Sequence, residues 1–370
     1  MLAGSVILFF MPSYVGYIES LTHASPSQLG LIAGCETWAI AMASLLSPVW
    51  SQYLSIRLGA LIGALVCLLG NLSALMVTDI TLLLAIRIPT GFFEGVLYAL
   101  SFKVLGRTDN PVRAMGVAST ALVIVGTSGL WLAPRIGIAL NVNGSIAILA
   151  LLCVTLLPLV WTAQSHEDAT FTAPTDRDSA RPWVGLVGQT LWFGGPGAVW
   201  AFATPIATQQ GLSPATIADA LALGAACGVV GPLFCGWFGD RAGKVPLILI
   251  STVGMLGATI FFVNPRLPFS IGTDLVALNI FWNVGSVYMF ALICVGDTSG
   301  RASLLVPASH ALGFAVGPMA AGFLADRYGY GVMPSFLAGI SLIAFVVLVP
   351  LWISSRTTAL RAAPATEHIG

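Results

Sequence analysis

The feature that most restricts the fold of this chain is a series of long apolar runs separated by short polar turns. Most runs approach about 20 residues, the length that an α-helix needs to cross the hydrocarbon core of a bilayer. Only helices and closed barrels satisfy their backbone inside lipid, and these runs are far longer than the roughly ten-residue strands of a barrel. Only 8% of the 370 residues are charged, against roughly 25% in a soluble domain. The sequence therefore predicts an all-α polytopic membrane protein.

Twelve apolar windows bounded by turn signals predict twelve transmembrane helices. The windows lie near residues 2–21, 28–49, 59–77, 81–104, 114–138, 142–161, 183–206, 215–237, 245–263, 270–295, 302–325 and 332–353. The first has no basic leader before it, so we interpret it as a span and not as a signal peptide. The polar segment 163–182 predicts a flexible cytoplasmic linker. We expect a six-helix half at 1–162, a second at 183–354 and a cytoplasmic tail at 355–370.

The distribution of Lys and Arg predicts the orientation of the chain in the membrane. If the N-terminus is cytoplasmic, eleven basic residues fall in the inner loops and tail: Arg57, Lys103, Arg107, Arg113, Arg177, Arg181, Arg241, Lys244, Arg301, Arg356 and Arg361. Three fall on the outer side: Arg135, Arg266 and Arg327. Positive charge accumulates on the cytoplasmic side, so we expect a multi-pass protein of the inner (plasma) membrane with both termini in the cytoplasm.

An internal repeat relates the two predicted halves. The pair Ser25-Pro26 recurs at Ser213-Pro214, 188 positions later (213 − 25), and each pair stands just before an even-numbered span. The same offset carries the segment 109–114 onto 297–302 and Gly129 onto Gly317. A constant offset between separated landmarks indicates repeated structure. It predicts two pseudo-symmetric six-helix bundles related by an axis along the membrane normal.

A polar turn after the eighth window carries a recognisable pattern. The residues from Gly236 to Lys244 read Gly-Trp-Phe-Gly-Asp-Arg-Ala-Gly-Lys, which resembles the G-x-x-x-D-R-x-G-[RK] loop of the major facilitator superfamily of secondary transporters. The segment from Arg87 to Gly91 also resembles that family's fourth-helix R-x-x-x-G motif. The resemblance extends over essentially the whole chain and implies a transporter that alternates access by rocking one six-helix half against the other.

The resemblance also implies a cytoplasmic gate. In the family, the Asp of this loop engages the start of a helix in the opposite half while the Arg braces it. The repeat places that partner at the start of the fifth helix. The implied gate contains Gly236, Gly239, Asp240, Arg241, Gly243, Lys244 and Arg113. The corresponding first-half position holds Gln52, without the acid, the base or the glycines, so we expect a latch on one side only.

The fourth helix carries the best candidates for the transport path. Arg87, Gly91, Glu94 and Tyr98 are spaced 4, 3 and 4 apart, so they share one helical face. A charge facing lipid costs several kcal/mol, so this face looks onto a cavity or another helix. We interpret Arg87, Glu94 and Tyr98 as path residues, with Glu94 carrying protons and Glu36 as a second carrier. The alternative is a structural ion pair or hydrogen bond between helices.

Aromatic and amide side chains in the second half are candidates for a substrate cavity. On the seventh helix these are Gln189, Trp192 and Trp200; on the tenth, Asn279, Trp282 and Asn283; and on the eleventh, His310. Aromatic rings at helical spacing could stack against an organic solute. For Asn279 and Asn283 contacts between helices remain an alternative, and for His310 a buried hydrogen bond does.

These observations predict a secondary active transporter that moves a small organic solute with or against protons. The alternative is a facilitator-fold protein without coupled transport, such as a passive uniporter, a sensor or a partner subunit. The formal net charge is zero, so no basic field favours nucleic acid. No nucleophile–base constellation or Cys/His metal cluster is apparent. We therefore expect a monomer in the lipid bilayer that is not an enzyme and uses no cofactor or metal.

Overall fold

The computed structural model describes residues 2–50, 53–105, 111–162, 181–239, 241–264, 270–294 and 301–362. In these ranges the regular structure is helical. Nine of the described helices are long and apolar enough to cross a membrane, and the predicted all-α polytopic class is confirmed. The division of the chain at 163–182 stays a prediction, because residues 163–180 lie outside the described ranges.

The helices form successive segments, each of which overlaps one of the predicted windows. We number them α1 (Leu2–Ser5, resumed at Ile7–Thr22), α2 (Pro26–Leu45, resumed at Ser47–Trp50), α3 (Ile56–Ala74), α4 (Ile80–Leu105), α5 (Pro111–Leu140), α6 (Gly144–Thr162), α7 (Arg181–Ala201, resumed at Ala203–Gln209), α8 (Pro214–Cys227, resumed at Val230–Phe238), α9 (Lys244–Val263), α10 (Ile271–Cys294), α11 (Arg301–Tyr328) and α12 (Met333–Ala362). A short 3₁₀ turn, Tyr330–Val332, joins α11 to α12.

The repeated Ser-Pro pairs begin equivalent helices in the two halves. Ser25 caps α2, and its side chain accepts a hydrogen bond from the backbone N–H of Gln28. Ser213 caps α8 and accepts from the backbone N–H of Thr216 in the same way. In both helices proline follows as the first helical residue, where its missing N–H removes no hydrogen bond. The sequence repeat therefore corresponds to a repeat in structure.

The packing inside the two halves follows the same scheme. In the first half α4 packs on α1, α2 and α3, while α3 also packs on α6. In the second half α10 packs on α7, α8 and α9, while α9 also packs on α12. Each of these contacts recurs six helices later, which is the pseudo-symmetry that the repeat predicts.

Two helix pairs, α2 with α11 and α5 with α8, make the main contacts between the halves. Glycine brings α2 and α11 together, since a Cβ built on Gly34 would lie 2.8 Å from the carbonyl oxygen of Ala315. A third contact joins α1 to α7, where the Trp200 indole donates to the carbonyl oxygen of Leu8 at 3.1 Å. Small residues of this kind allow close helix packing in membranes.

The contacts between halves concentrate toward the side predicted to face outward. There Arg135 of α5 forms an ion pair with Asp219 of α8, with 2.9 Å between Nη2 and Oδ1. The α8 helix is interrupted between Cys227 and Val230. Both parts pack on α10 of their own half, and the outer part also packs on α5 of the other half. The two halves are thus joined at their outer ends.

Candidate functional site

A cluster of buried polar side chains is centred on Arg87 of α4. The side chains of Arg87 and of Glu36, on α2, are both 0% exposed. Arg87 Nε donates to Glu36 Oε2 at 3.0 Å, and Nη2 donates to Oε1 of the same carboxylate. Arg87 Nη1 donates to Asn71 Oδ1 of α3 at 2.7 Å. One guanidinium therefore ties three helices together through a bidentate ion pair and an amide.

Glycine on α4 makes the bidentate pair possible. A Cβ built on Gly91 would lie 2.6 Å from the backbone carbonyl oxygen of Glu36, closer than any real side chain could come. The two helices can therefore approach so closely only with glycine there. The sequence pattern from Arg87 to Gly91 thus has a physical basis, because Gly91 provides the space and Arg87 the ion pair one turn away.

Glu94 is the second carboxylate of the cluster, two turns along α4 from Arg87. Its Oε1 lies 3.7 Å from Arg87 Nη2, while neither carboxylate oxygen has a hydrogen bond to any described residue. The bidentate pair with Glu36 already balances the charge of Arg87. If both acids were ionised, the cluster would hold one uncompensated negative charge in a buried place, which is costly.

The structure adds two residues that the sequence analysis missed. Tyr14 of α1 is buried, with its ring centre 5.5 Å from the Arg87 guanidinium carbon, and its hydroxyl has no hydrogen-bond partner among the described residues. Asn71 holds Arg87 and donates its own amide to the Cys67 carbonyl oxygen at 2.8 Å. Asn71 is an isolated amide in an apolar run, so the sequence alone indicated a buried polar contact there. Nothing in the sequence indicates that Tyr14 contacts Arg87.

The structure therefore brings Arg87, Glu36 and Glu94 together and encloses them in the first half. The contacts of Arg87 itself come from Tyr14 of α1, Glu36 of α2, Asn71 of α3 and Glu94 of α4. Tyr98 lies one turn beyond Glu94 and is half-buried; there the α4 backbone approaches Gly4 of α1, where an added Cβ would lie 2.6 Å from the Tyr98 nitrogen. The roles of Arg87, Glu36, Glu94 and Tyr98 in a transport path and in proton coupling stay predictions.

The amides and one tryptophan of the proposed cavity donate hydrogen bonds to protein groups, either on another helix or on their own. Trp192 donates from Nε1 to Thr252 Oγ1 of α9 at 2.8 Å, and Gln189 donates to the Val306 carbonyl oxygen of α11 at 3.0 Å. Asn283 donates to the Asn279 carbonyl oxygen on its own helix at 2.8 Å. These contacts favour a packing role for these side chains, and a role in substrate binding stays a prediction.

The Asn279–Asn283 face of α10 lies against glycines of α8. A Cβ built on Gly228 would lie 2.8 Å from Asn283 Nδ2, and one on Gly231 would lie 2.8 Å from Asn283 Cβ. Asn279 donates its amide to the Leu275 carbonyl oxygen at 2.9 Å. Each amide therefore donates one of its two N–H groups to its own helix where α10 passes the interruption in α8.

His310, Trp282 and Trp200 belong to a group of aromatic rings on α7, α10 and α11. The Trp282 ring stacks on Phe314 at 5.4 Å between centroids and lies 6.1 Å from Trp200. The His310 ring lies 4.2 Å from Phe193. No group of three or more His, Cys, Asp or Glu side chains in the described part of the chain is placed to hold a metal ion.

The loop after α8 is shaped by its glycines. Gly239 and Gly243 have φ of 61° and 79°, in the left-handed region that side chains rarely adopt. The Gly239 carbonyl oxygen accepts a hydrogen bond from the Tyr288 hydroxyl at 2.7 Å. Arg241 donates to the carbonyl oxygen of Trp237 at 2.7 Å, so it caps the end of α8 as a basic residue can.

The predicted gate contact falls on residues that the structure does not describe. Asp240 lies outside the described ranges, and the side chain of Arg113 on α5 lies outside them as well. Gly236 has open space around its Cα, and Lys244 begins α9. The one-sided latch therefore stays a prediction.

Comparisons with known proteins agree with this architecture. The sequence model of the Major Facilitator Superfamily matches residues 1–295 and 186–369. A single-site mutant of nucleoside transporter NupG superimposes with a TM-score of 0.77 at 14% identity, over 94% of this chain and 96% of its own. The D-xylose-proton symporter gives 0.73 at 15% identity, over 94% and 95%, and a bacterial homologue of the human lysosomal transporter Spinster gives 0.66 at 14%, over 98% of each. No curated protein matches the sequence. The chain belongs to the Major Facilitator Superfamily.

Proposed function

We propose that this protein is a secondary active transporter that moves a small organic solute by alternating access and couples it to protons at Glu94. The observation that supports the proposal is the composition of the buried cluster. Glu94 lies within ion-pair distance of a guanidinium that Glu36 already holds in a bidentate pair. A proton on Glu94 removes the uncompensated charge, so the cluster has two electrostatic states.

The two states differ in which carboxylate competes for Arg87. With a proton on Glu94, Arg87 belongs to Glu36. Without the proton, the Glu94 charge attracts Arg87 Nη2 from 3.7 Å, an interaction of about 4 kcal/mol at the effective dielectric constant of about 20 that suits proteins. That attraction is large enough to loosen the Arg87–Glu36 pair.

Loosening this pair would act on the contact between the halves. Glu36 lies on α2, which packs directly on α11 of the other half. Two positions before it on α2, Gly34 lies against the Ala315 backbone and the Met319 side chain of α11. A shift of α2 relative to α4 therefore moves the surface that α11 contacts. This is how a proton on Glu94 would bias the rocking of the halves.

We further infer that this structure is the state open to the cytoplasm. The ion pair between Arg135 and Asp219 and the packing of the outer part of α8 on α5 join the halves on the predicted outer side. The positive-inside bias supports this orientation and a location in the inner membrane with both termini cytoplasmic. Reporter fusions at the C-terminus test it, since a reporter active only outside the cytoplasm would stay inactive.

The first solutes to test are small, neutral organic molecules. Two similar structures are described as transporters of a nucleoside and of D-xylose, which supports starting with nucleosides and sugars. Purified protein is reconstituted into vesicles, and uptake of labelled solutes is followed with and without an imposed pH gradient. We expect the gradient to drive at least one solute above its equilibrium concentration.

Glu94→Gln separates coupling from transport. A neutral amide cannot carry the proton, so we expect the variant to exchange labelled for unlabelled solute while losing accumulation driven by the pH gradient. Glu19→Gln, at the end of α1, is the matched control and should accumulate solute normally. Accumulation by Glu94→Gln would remove this residue from coupling, and equilibration without accumulation by the unmodified protein would establish a passive uniporter.

A further inference from the structure

Five aromatic rings from three helices form a connected group in the second half, which we call the aromatic box: Phe193 of α7, Trp282 and Phe290 of α10, and His310 and Phe314 of α11. The His310 ring lies 4.2 Å from Phe193, 5.0 Å from Phe314 and 6.3 Å from Phe290. Phe193 and Phe290 stack at 5.9 Å, as Trp282 and Phe314 do at 5.4 Å. His310 is thus surrounded by rings on three sides.

The box faces the interior of the protein. On α11 the side chains of Val316 and Phe323 are 40% and 54% exposed and mark the outer side of the helix. Phe314 precedes Val316 by two positions, which turn an α-helix by about 200°, so Phe314 points the opposite way. His310 is one turn before Phe314 on the same side.

The box also lies on the side of the second half that meets the first. Trp282 is 6.1 Å from Trp200, and the Trp200 indole donates to the Leu8 carbonyl oxygen of α1. A solute that moves between the halves would therefore pass close to these rings.

The group is only partly covered. Phe193 and Phe314 are buried, whereas Trp282, Phe290 and His310 retain partial exposure. No hydrogen bond joins the His310 imidazole to another residue that the structure describes. An imidazole inside a membrane protein needs hydrogen-bond partners, and its surroundings here are phenyl rings. The imidazole is therefore free to bond a bound molecule.

The chemistry of the box defines what it would recognise. Aromatic faces favour flat rings, which stack or meet edge to face. The box itself contains no charged side chain, and Arg87 is held by Glu36 in the first half. A polyol needs many hydrogen bonds, but the box itself has polar side-chain atoms only on His310 and Trp282, and Asn279 and Asn283 each donate one amide N–H to their own helix. The imidazole offers one donor and one acceptor.

We propose that the aromatic box is the solute subsite, that it selects a neutral planar aromatic or heteroaromatic molecule, and that His310 supplies the hydrogen bond that orients it. This inference deepens the proposed transport function and rests on it. The site is nevertheless testable by binding alone, which keeps its outcome separate from that of proton coupling.

Four small probes of similar size test the proposal by isothermal titration calorimetry on the purified full chain. Benzamide is flat and neutral, cyclohexanecarboxamide is neutral but not flat, benzoate is an anion and benzamidine is a cation. We expect benzamide to bind with a dissociation constant on the order of 1 mM, as suits so small a ligand. The other three should bind at least about tenfold more weakly, because each lacks the flat ring or the neutral charge.

Variants connect the binding to the box. His310→Phe keeps an aromatic ring but removes the hydrogen bonds and should weaken benzamide binding about tenfold; Phe290→Leu should also weaken it. Phe323→Leu, on the exposed side of α11 away from the box, is the matched control and should bind like the unmodified protein. Thermal unfolding and gel filtration establish that each variant is folded.

The outcomes separate cleanly. The proposal is overturned if folded protein does not bind benzamide, if it binds cyclohexanecarboxamide or the ions equally well, or if His310→Phe leaves benzamide binding unchanged. Glu94→Gln should bind benzamide normally even though it loses accumulation. A failure of coupling with intact selective binding would thus refute the proposed coupling and support the box, whereas coupled transport without selective binding would refute the box alone.

Discussion

The arrangement of two carboxylates around one guanidinium predicts unequal and non-additive effects when the acids are neutralised. Replacing one partner of a buried ion pair typically costs about 3–5 kcal/mol, because the other charge is left unpaired. Here Arg87 has a second acid within 3.7 Å. In Glu36→Gln, Glu94 can therefore still pair with Arg87. The loss of the bidentate geometry should lower the free energy of unfolding by only about 1–2 kcal/mol.

Glu94→Gln should have a still smaller effect on stability. The Arg87–Glu36 pair remains complete, and the Glu94 carboxyl, which has no hydrogen-bond partner among the described residues and holds a proton in our proposal, is exchanged for a neutral amide of similar size. We expect a change below about 1 kcal/mol, the typical size for a substitution that breaks no network. In the double variant no acid remains near Arg87, and the full penalty of about 3–5 kcal/mol should appear.

The assay is unfolding of the purified protein in mixed micelles, with the free energy of unfolding measured for both single variants and the double variant. The double variant should lose at least about 1 kcal/mol more than the two single losses combined, the size of coupling expected for residues in one network. Additive losses would refute the view that Glu94 can replace Glu36, and a large loss for Glu94→Gln alone would refute the view that it holds a proton.

Three further predictions concern contacts elsewhere in the structure. Reversing the charge of Arg135 should favour the state in which the halves separate at their outer ends by no more than about 1 kcal/mol, since the two side chains of its ion pair are 35% and 55% exposed. Distances between spin labels on α5 and α8 measure this separation, and exchanging the charges of Arg135 and Asp219 should restore the original distances. Gly34→Val should separate α2 from α11 and abolish transport, whereas Gly257→Val, with nothing within 4 Å, should not. Tyr288→Phe removes the 2.7 Å hydrogen bond to the loop after α8 and should increase hydrogen exchange in that loop at unchanged melting temperature.

Most of the fold was predictable because the bilayer leaves few choices. A helix must be apolar over the membrane thickness, so each of the windows overlapped a helical segment. The Ser-Pro repeat located equivalent helix starts, because the cap at Ser25 depends only on local sequence. The interruptions within helices were not predicted. At Phe202 the break precedes Pro205, which has no N–H to donate to the Ala201 carbonyl oxygen and so weakens the helix there. At Val6 the break holds neither glycine nor proline, and nothing in the local sequence marks it.

The candidate site was predictable only in part, for a different reason. Periodicity shows which residues share a face, and it placed Arg87 and Glu94 together on α4. It does not show which helix that face meets. The bidentate partner Glu36 and the ring of Tyr14 therefore emerged only from the structure. Likewise, a helical stripe of Trp and Gln has the same pattern in a cavity as in a helix contact, and Trp192 makes a helix contact.

The proposed proton site at Glu94 and the aromatic box lie in different halves, and two helices connect them. Glu36 is on the face of α2 that meets α4, while Gly34 and Gly30 lie against α11. On α11 the surface that meets α2 is separated from the His310 surface by about a quarter to a third of a turn. At Gly30 the contact is with the backbone of Pro318 and Gly322, and close-packed interiors transmit strain. A proton that moves α2 relative to α4 would therefore also move α11 and the ring that orients the solute. Because such coupling is reciprocal in free energy, a solute bound at His310 must in turn change the proton affinity of Glu94.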